Sequence, residues 1–204
     1  MTTRELPMFP LGLVLVPGAV LPLHIFEPRY RALVHDVLAA DADFGVVLIE
    51  RGSESGGGET RANVGTIAHI ADGHAFEDGR YALACFGTER ISIAAWLPDD
   101  PYPRALIEPW PDPPAGPCIE LLAAVETQLR ALSGWRTRFG LETADIDLAD
   151  DPTVASYQAI TLADLGPFDA QQALACPDVP ARLELLTRQI ADAVTLLELQ
   201  ADGL

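Results

Sequence analysis

The chain has 204 residues, with 30 acidic against 13 basic side chains and a formal charge of −17. Every basic residue is an arginine, so there is no Walker A lysine for nucleotide phosphates, no Schiff-base amine and no Ser-Lys dyad. The acid excess argues against a surface for nucleic acid, which needs clustered positive charge, or for an anionic membrane leaflet.

In chain order, residues 5–11 and 14–27 read as strands interrupted by proline, which suits edge or bulged strands. Glu27-Pro28 opens a helix, because proline at the first helical position forfeits no intrahelical bond. Tyr30, Leu33, Val34, Val37 and Leu38 then form one apolar face. The unbroken run Phe44–Ile49 predicts a buried strand, and residues 51–60 a polar, glycine-rich loop. Residues 64–73, 79–87 and 89–97 predict three successive strands with turns at Asp72-Gly73, Asp78-Gly79 and Gly87. Residues 101–110 supply a last strand. Short strands with glycine turns and one early helix predict a small, partly closed β-barrel over residues 1–110.

The seam at 109–118, PWPDPPAGPC, holds five prolines, and residues 111–118 are assigned as a stiff connector. Residues 119–204 predict a helical bundle. Ile119, Leu122, Val125, Leu129 and Leu132 mark its first helix. A second runs from Asp151-Pro152 to Leu165, with Gly166-Pro167 as its stop. The last, from Val179 to Leu199, carries Val179, Leu183, Leu186, Ile190, Val194 and Leu197 on one stripe. The fold class is therefore α+β. The three cysteines, Cys85, Cys118 and Cys176, are scattered and odd in number, which points to a reduced, cytoplasmic setting.

Leu6-Pro7-Met8-Phe9-Pro10-Leu11, Val14, Pro17-Gly18 and Leu21-Pro22-Leu23-His24-Ile25-Phe26-Glu27-Pro28-Arg29-Tyr30 together resemble the signature of the Lon N-terminal (LON substrate-binding) domain family. Phe44-Gly45-Val46-Val47, Val64-Gly65-Thr66, Asp78-Gly79-Arg80-Tyr81, Ser156-Tyr157, Pro167, Asp169 and Arg182-Leu183 follow in the family's order. Gln171-Gln172-Ala173-Leu174 departs from it, standing where an Arg-Gln-Leu-Leu type sequence is common. The resemblance implies a PUA-like β pseudo-barrel followed by a C-terminal helical bundle. It also implies a domain that engages unfolded or damaged proteins, here expected as a stand-alone member without ATPase or peptidase parts.

The candidate binding residues are Phe26, Glu27, Arg29, Tyr30, Tyr81, Trp96 and Trp110, each of which has core packing or a local ion pair as its alternative. His69, Asp72 and His74 are metal-capable types, but they flank the predicted turn without a third fixed ligand. Gly56-Gly57-Gly58 lacks the following lysine of a phosphate loop, and Ser53 and Ser55 lack a nucleophile elbow. No catalytic residue, metal or cofactor is therefore assigned. The expected function is a non-catalytic module that recognises unfolded or exposed protein segments, as an adaptor or chaperone-like protein. The alternative is a small-molecule binder or cryptic enzyme using a groove between barrel and helices. Partners are expected to be proteins or peptides, not nucleic acid or membrane, with weak self-association left open.

Overall fold

Six strands and five helices follow one another in the computed structural model, which describes residues 3–40, 43–51 and 60–202. They are β1 (Arg4–Leu11), β2 (Val20–Ile25), α1 (Pro28–Ala39), β3 (Phe44–Arg51), β4 (Thr60–Ala75), β5 (Tyr81–Leu97), β6 (Arg104–Pro109), α2 (Ile119–Arg138), α3 (Pro152–Ala163), α4 (Pro167–Leu174) and α5 (Val179–Asp202). The chain divides into two compact units, Met1–Pro111 and Asp112–Leu204.

In the first unit the strand order is β2-β5-β4-β3-β1-β6, and β5 pairs again with β6. That second pairing closes β5, β4, β3, β1 and β6 into a ring. The length of β5 makes this possible: its first half pairs with β2 and its second half with β6 along the same edge. β1 splits its pairing too. Arg4–Pro7 run antiparallel to β6, and Met8–Leu11 run parallel to β3. Each half of β1 thus has one side free of ladder bonds, which is how Pro7 and Pro10 are accommodated.

Alternation along the strands builds two cores. Met8, Val47, Ile67, Ile91 and Ile107, one from each ring strand, pack in a single cluster with Leu6 and Ala105. On the other face, Phe9, Leu11, Leu21, Leu23, Phe44 and Val46 form a second cluster under α1. β3 is buried on both faces, which explains its unbroken apolar run. α1 begins at Pro28 with Glu27 as N-cap and buries Tyr30, Leu33, Val34 and Val37. Leu38, expected on that face, is instead 51% exposed.

Two of the expected turns are not turns. Asp72-Gly73 lies inside β4, where a bulge between Ile70 and Asp72 shifts the register. Gly87 lies inside β5, and there glycine serves close approach. A Cβ at Gly87 would meet the Val16 carbonyl oxygen at 2.3 Å, and the Gly87 N–H donates to the Ala19 carbonyl at 2.9 Å. The strands expected as 79–87 and 89–97 are consequently one. Asp78-Gly79 is a true turn: Gly79 has φ +79°, and its N–H donates to the Phe76 carbonyl.

The second unit is helical. Prolines open α3 and α4 at their first positions. α3 ends at Ala163, where Asp164 takes a left-handed conformation (φ +43°). Pro167, expected as its stop, instead starts α4, a helix the sequence reading did not place. The Asp151 carboxylate caps α3, accepting from the Thr153 and Val154 N–H groups at 2.8 and 3.1 Å. Val125, Leu129 and Leu132 of α2 and Leu183, Leu186 and Ile190 of α5 are buried, as their spacing predicts. Ile119 at the start of α2 is 71% exposed. No helix among the described residues is long and apolar enough to cross a membrane.

Candidate functional site

β2 alternates strictly. Leu21, Leu23 and Ile25 enter the core under α1, and Val20, Pro22 and His24 face outward. The register carries that exposed surface across the sheet. Val20 lies opposite Phe86, Pro22 opposite Ala84 and His24 opposite Ala82. On β4 the row continues with His69, Asp72 and His74. Val20 is 74% exposed and Phe86 37%. The His69 ring lies 5.1 Å from that of Phe86, and its Nδ1 bonds the Asp43 carboxylate at 2.9 Å.

The backbone of β2 has a definite phase. Gly87 N–H bonds the Ala19 carbonyl, so the hydrogen-bonded positions of this antiparallel pair are Ala19, Leu21, Leu23 and Ile25. The backbone groups of Val20, Pro22 and His24 therefore point away from β5. No other described strand pairs with that side of β2. The outward row offers N–H donors at Val20 and His24 and carbonyl acceptors at all three residues, Pro22 having no N–H. A short strand with one proline is also a guarded edge, resistant to indiscriminate pairing.

The sequence-derived candidates separate into two groups. Phe26, Glu27, Arg29 and Tyr30 cluster at the junction of β2 with α1, and Tyr81 pairs in register with the adjacent Ile25. Phe26 is 65% exposed. Glu27 and Arg29 form an ion pair at 3.1 Å. Tyr30 is core: its ring stacks on Phe9 with centroids 4.0 Å apart, beneath the Arg29 guanidinium at 4.5 Å. Tyr81 lines a recess of 260 Å³ with Leu38, Ile70, Ala71 and Leu83, opened by the β4 bulge.

The tryptophans lie elsewhere, at the β5–β6 pairing. Trp96 is half-buried under the Arg61 guanidinium at 4.5 Å, and Arg61 in turn pairs with Asp99 at 3.0 Å. Trp110 lies under Arg90 at 4.2 Å, and the Arg90 Nε–H donates to the Trp110 carbonyl at 3.0 Å. Both rings are thus covered by arginines.

Sequence reading missed Val20 and Phe86. The alternation of V-L-P-L-H-I carries the signal, but treating 14–27 as one strand hid its start. His69, Asp72 and His74 lie along β4 and not around a turn. Among the described residues no group of three or more His, Cys, Asp or Glu side chains is placed to hold a metal ion. Gly56-Gly57-Gly58, Ser53 and Ser55 lie outside the described residues. Cys85 is buried in the core, and desolvation pushes its thiol up to about 11, which disfavours the nucleophilic thiolate.

Comparison with known proteins adds the following. The family model described as the ATP-dependent protease La (LON) substrate-binding domain matches residues 5–192. The chain is similar to Lon protease 2 of Herpetosiphon aurantiacus, at 30% identity over 98% of this chain and 25% of that protein. It therefore spans about a quarter of the length of this curated relative. The crystal structure of a Lon N-terminal domain protein from Xanthomonas campestris is similar at 29% identity and a TM-score of 0.66, covering 90% of this chain and 96% of that one. The N-terminal domain of the Mycobacterium avium complex Lon protease shares the fold, with a TM-score of 0.64 at 19% identity over 93% and 99% of the two chains.

Proposed function

Because the chain belongs to the LON substrate-binding domain family, whose model covers residues 5–192, we propose that it binds unfolded or exposed polypeptide segments, as an adaptor or chaperone-like module with no chemistry of its own. The observation that carries this reading is the outward row of β2. Main-chain donors and acceptors at Val20, Pro22 and His24 suit addition of an extended segment, which draws affinity from backbone hydrogen bonds common to all sequences. The neighbouring Val20 and Phe86 side chains offer apolar contact. The −17 charge favours segments rich in arginine or lysine. Two features support binding without catalysis: no lysine is present for the chemistries that need one, and the nearest thiol to this face, Cys85, is held protonated by burial.

The test is fluorescence anisotropy of a labelled, permanently unfolded polypeptide titrated with the pure protein. Saturable binding at about 10–100 μM, competed by other unfolded chains and not by the same chains folded, is the expected result. Absence of saturation across several sequences contradicts the proposal.

A further inference from the structure

The helical unit contains a cavity of 360 Å³ that the peptide-binding reading does not use. Its floor is Leu129 and Leu132 of α2, each 2% exposed. Leu162 of α3 and Ile146 of the intervening segment form apolar walls, and Arg136, Glu142 and Asp164 bring charge to its lining. Leu129, Leu132, Ser133 and Arg136 fall at positions i, i+3, i+4 and i+7 of one helix, so a single face of α2 presents both floor and cation.

Arg136 is fixed in place before any ligand arrives. Its Nη2 donates to the Ala163 carbonyl at 2.8 Å and the Asp164 carbonyl at 3.1 Å, across the end of α3. Its Nε and Nη1 make no hydrogen bond to any described residue. A guanidinium held by one nitrogen, with three N–H groups left to donate, has already lost the side-chain freedom that binding would otherwise cost. Among the described residues, Arg136 is the only cation of this lining, and Glu142 and Asp164 are its only carboxylates. A simple anion would satisfy the first and be repelled by the other two. A simple cation would meet the reverse.

We propose that this cavity binds a small apolar zwitterion, a free α-amino acid of the leucine type or an apolar dipeptide. Its carboxylate would meet the free N–H groups of Arg136, its ammonium the Glu142 and Asp164 side, and its side chains the floor of Leu129 and Leu132. The volume falls in the range of small-ligand sites, and the end of α3, where backbone carbonyls gather, favours the ammonium.

The experiment uses the full chain, with isothermal titration and ligand-observed NMR of L-leucine and Leu-Leu. Two isosteres serve as controls: 4-methylpentanoate lacks the ammonium, and 3-methylbutylamine lacks the carboxylate. Each is expected to bind about tenfold or more weakly than leucine, the scale of one charge-assisted hydrogen bond. Arg136→Gln is expected to abolish leucine binding. Because Arg136 also closes the end of α3, Glu142→Gln provides a second variant on an exposed segment. It is expected to weaken leucine and to tighten 4-methylpentanoate, whose carboxylate Glu142 would otherwise repel. No saturation by leucine or Leu-Leu up to about 10 mM, or 4-methylpentanoate binding as tightly as leucine, overturns the proposal.

Discussion

Asp112 and Arg182 meet at 2.8 Å, with side chains 4% and 0% exposed. Asp112 belongs to the proline-rich seam and Arg182 to the first turns of α5. The same guanidinium donates to the Ser156 hydroxyl at 3.0 Å and the Ala173 carbonyl at 3.1 Å, and it lies 4.2 Å over the Tyr157 ring. Tyr157 in turn donates its hydroxyl to Asp112. The end of the seam is therefore locked onto α3 and α5 by a buried charge whose donors are used on three elements.

Removing one member of such a pair leaves the other ionised and buried. Arg182→Met is expected to cost about 3–5 kcal/mol of unfolding free energy. Asp112→Asn, which keeps an acceptor, is expected to cost about 1–3 kcal/mol. Urea unfolding followed by circular dichroism measures both. A loss below about 1 kcal/mol for Arg182→Met would show that the network is dispensable.

Gly87→Ala places a methyl carbon 2.3 Å from the Val16 backbone oxygen, which cannot swing aside as a side chain could. The expected destabilisation is about 1–3 kcal/mol. Gly116→Ala is the control, since nothing lies within 4 Å of its added carbon. It is expected to stay within about 0.5 kcal/mol of the parent. Equal melting curves for the two variants would contradict the close approach of residues 16–19 to β5.

Burial pushes the Cys85 thiol up to about 11 from 9.0. Tyr102 rises to about 12 from 10.0, through burial and through the bond from its hydroxyl to Asp36. A folded state that holds these protons more tightly than the unfolded state gains stability that is complete below pH 9 and lost as pH rises through 11 to 12. Unfolding free energy measured in a pH series is expected to fall on the alkaline side, and less steeply in Cys85→Ala. An unchanged slope in that variant would exclude Cys85 as a contributor.

Much of the architecture was legible because period and punctuation agreed. Pro28 and Pro152 each stand at a helix start, as read, whereas Pro167, read only as a stop, opens α4. Val125, Leu129 and Leu132 show the helical stripe, and Phe44–Ile49 shows a strand buried on both faces. The errors arose where long-range contact overrode local preference. Gly73 and Gly87 looked like turns, yet one lies beside a bulge and the other accommodates the Val16 backbone. Leu38 continues the apolar face of α1 in sequence but reaches the rim of a recess. The candidate edge was hardest to read, because nothing local to Val20–Ile25 tells that β6 takes one half of β5 and leaves β2 on the outside.

The central claim, that extended polypeptide adds to the outward row of β2, is tested most directly by His24→Pro. This substitution deletes one outward N–H and none of those bonded to β5, in a strand that already holds Pro22. Val20→Asp is the companion change on the exposed face. We predict that anisotropy titration with an unfolded polypeptide saturates for the parent and weakens about fivefold or more for each variant, while thermal unfolding shifts by only a few degrees. Unchanged affinity in both variants, measured on folded protein, would contradict the claim.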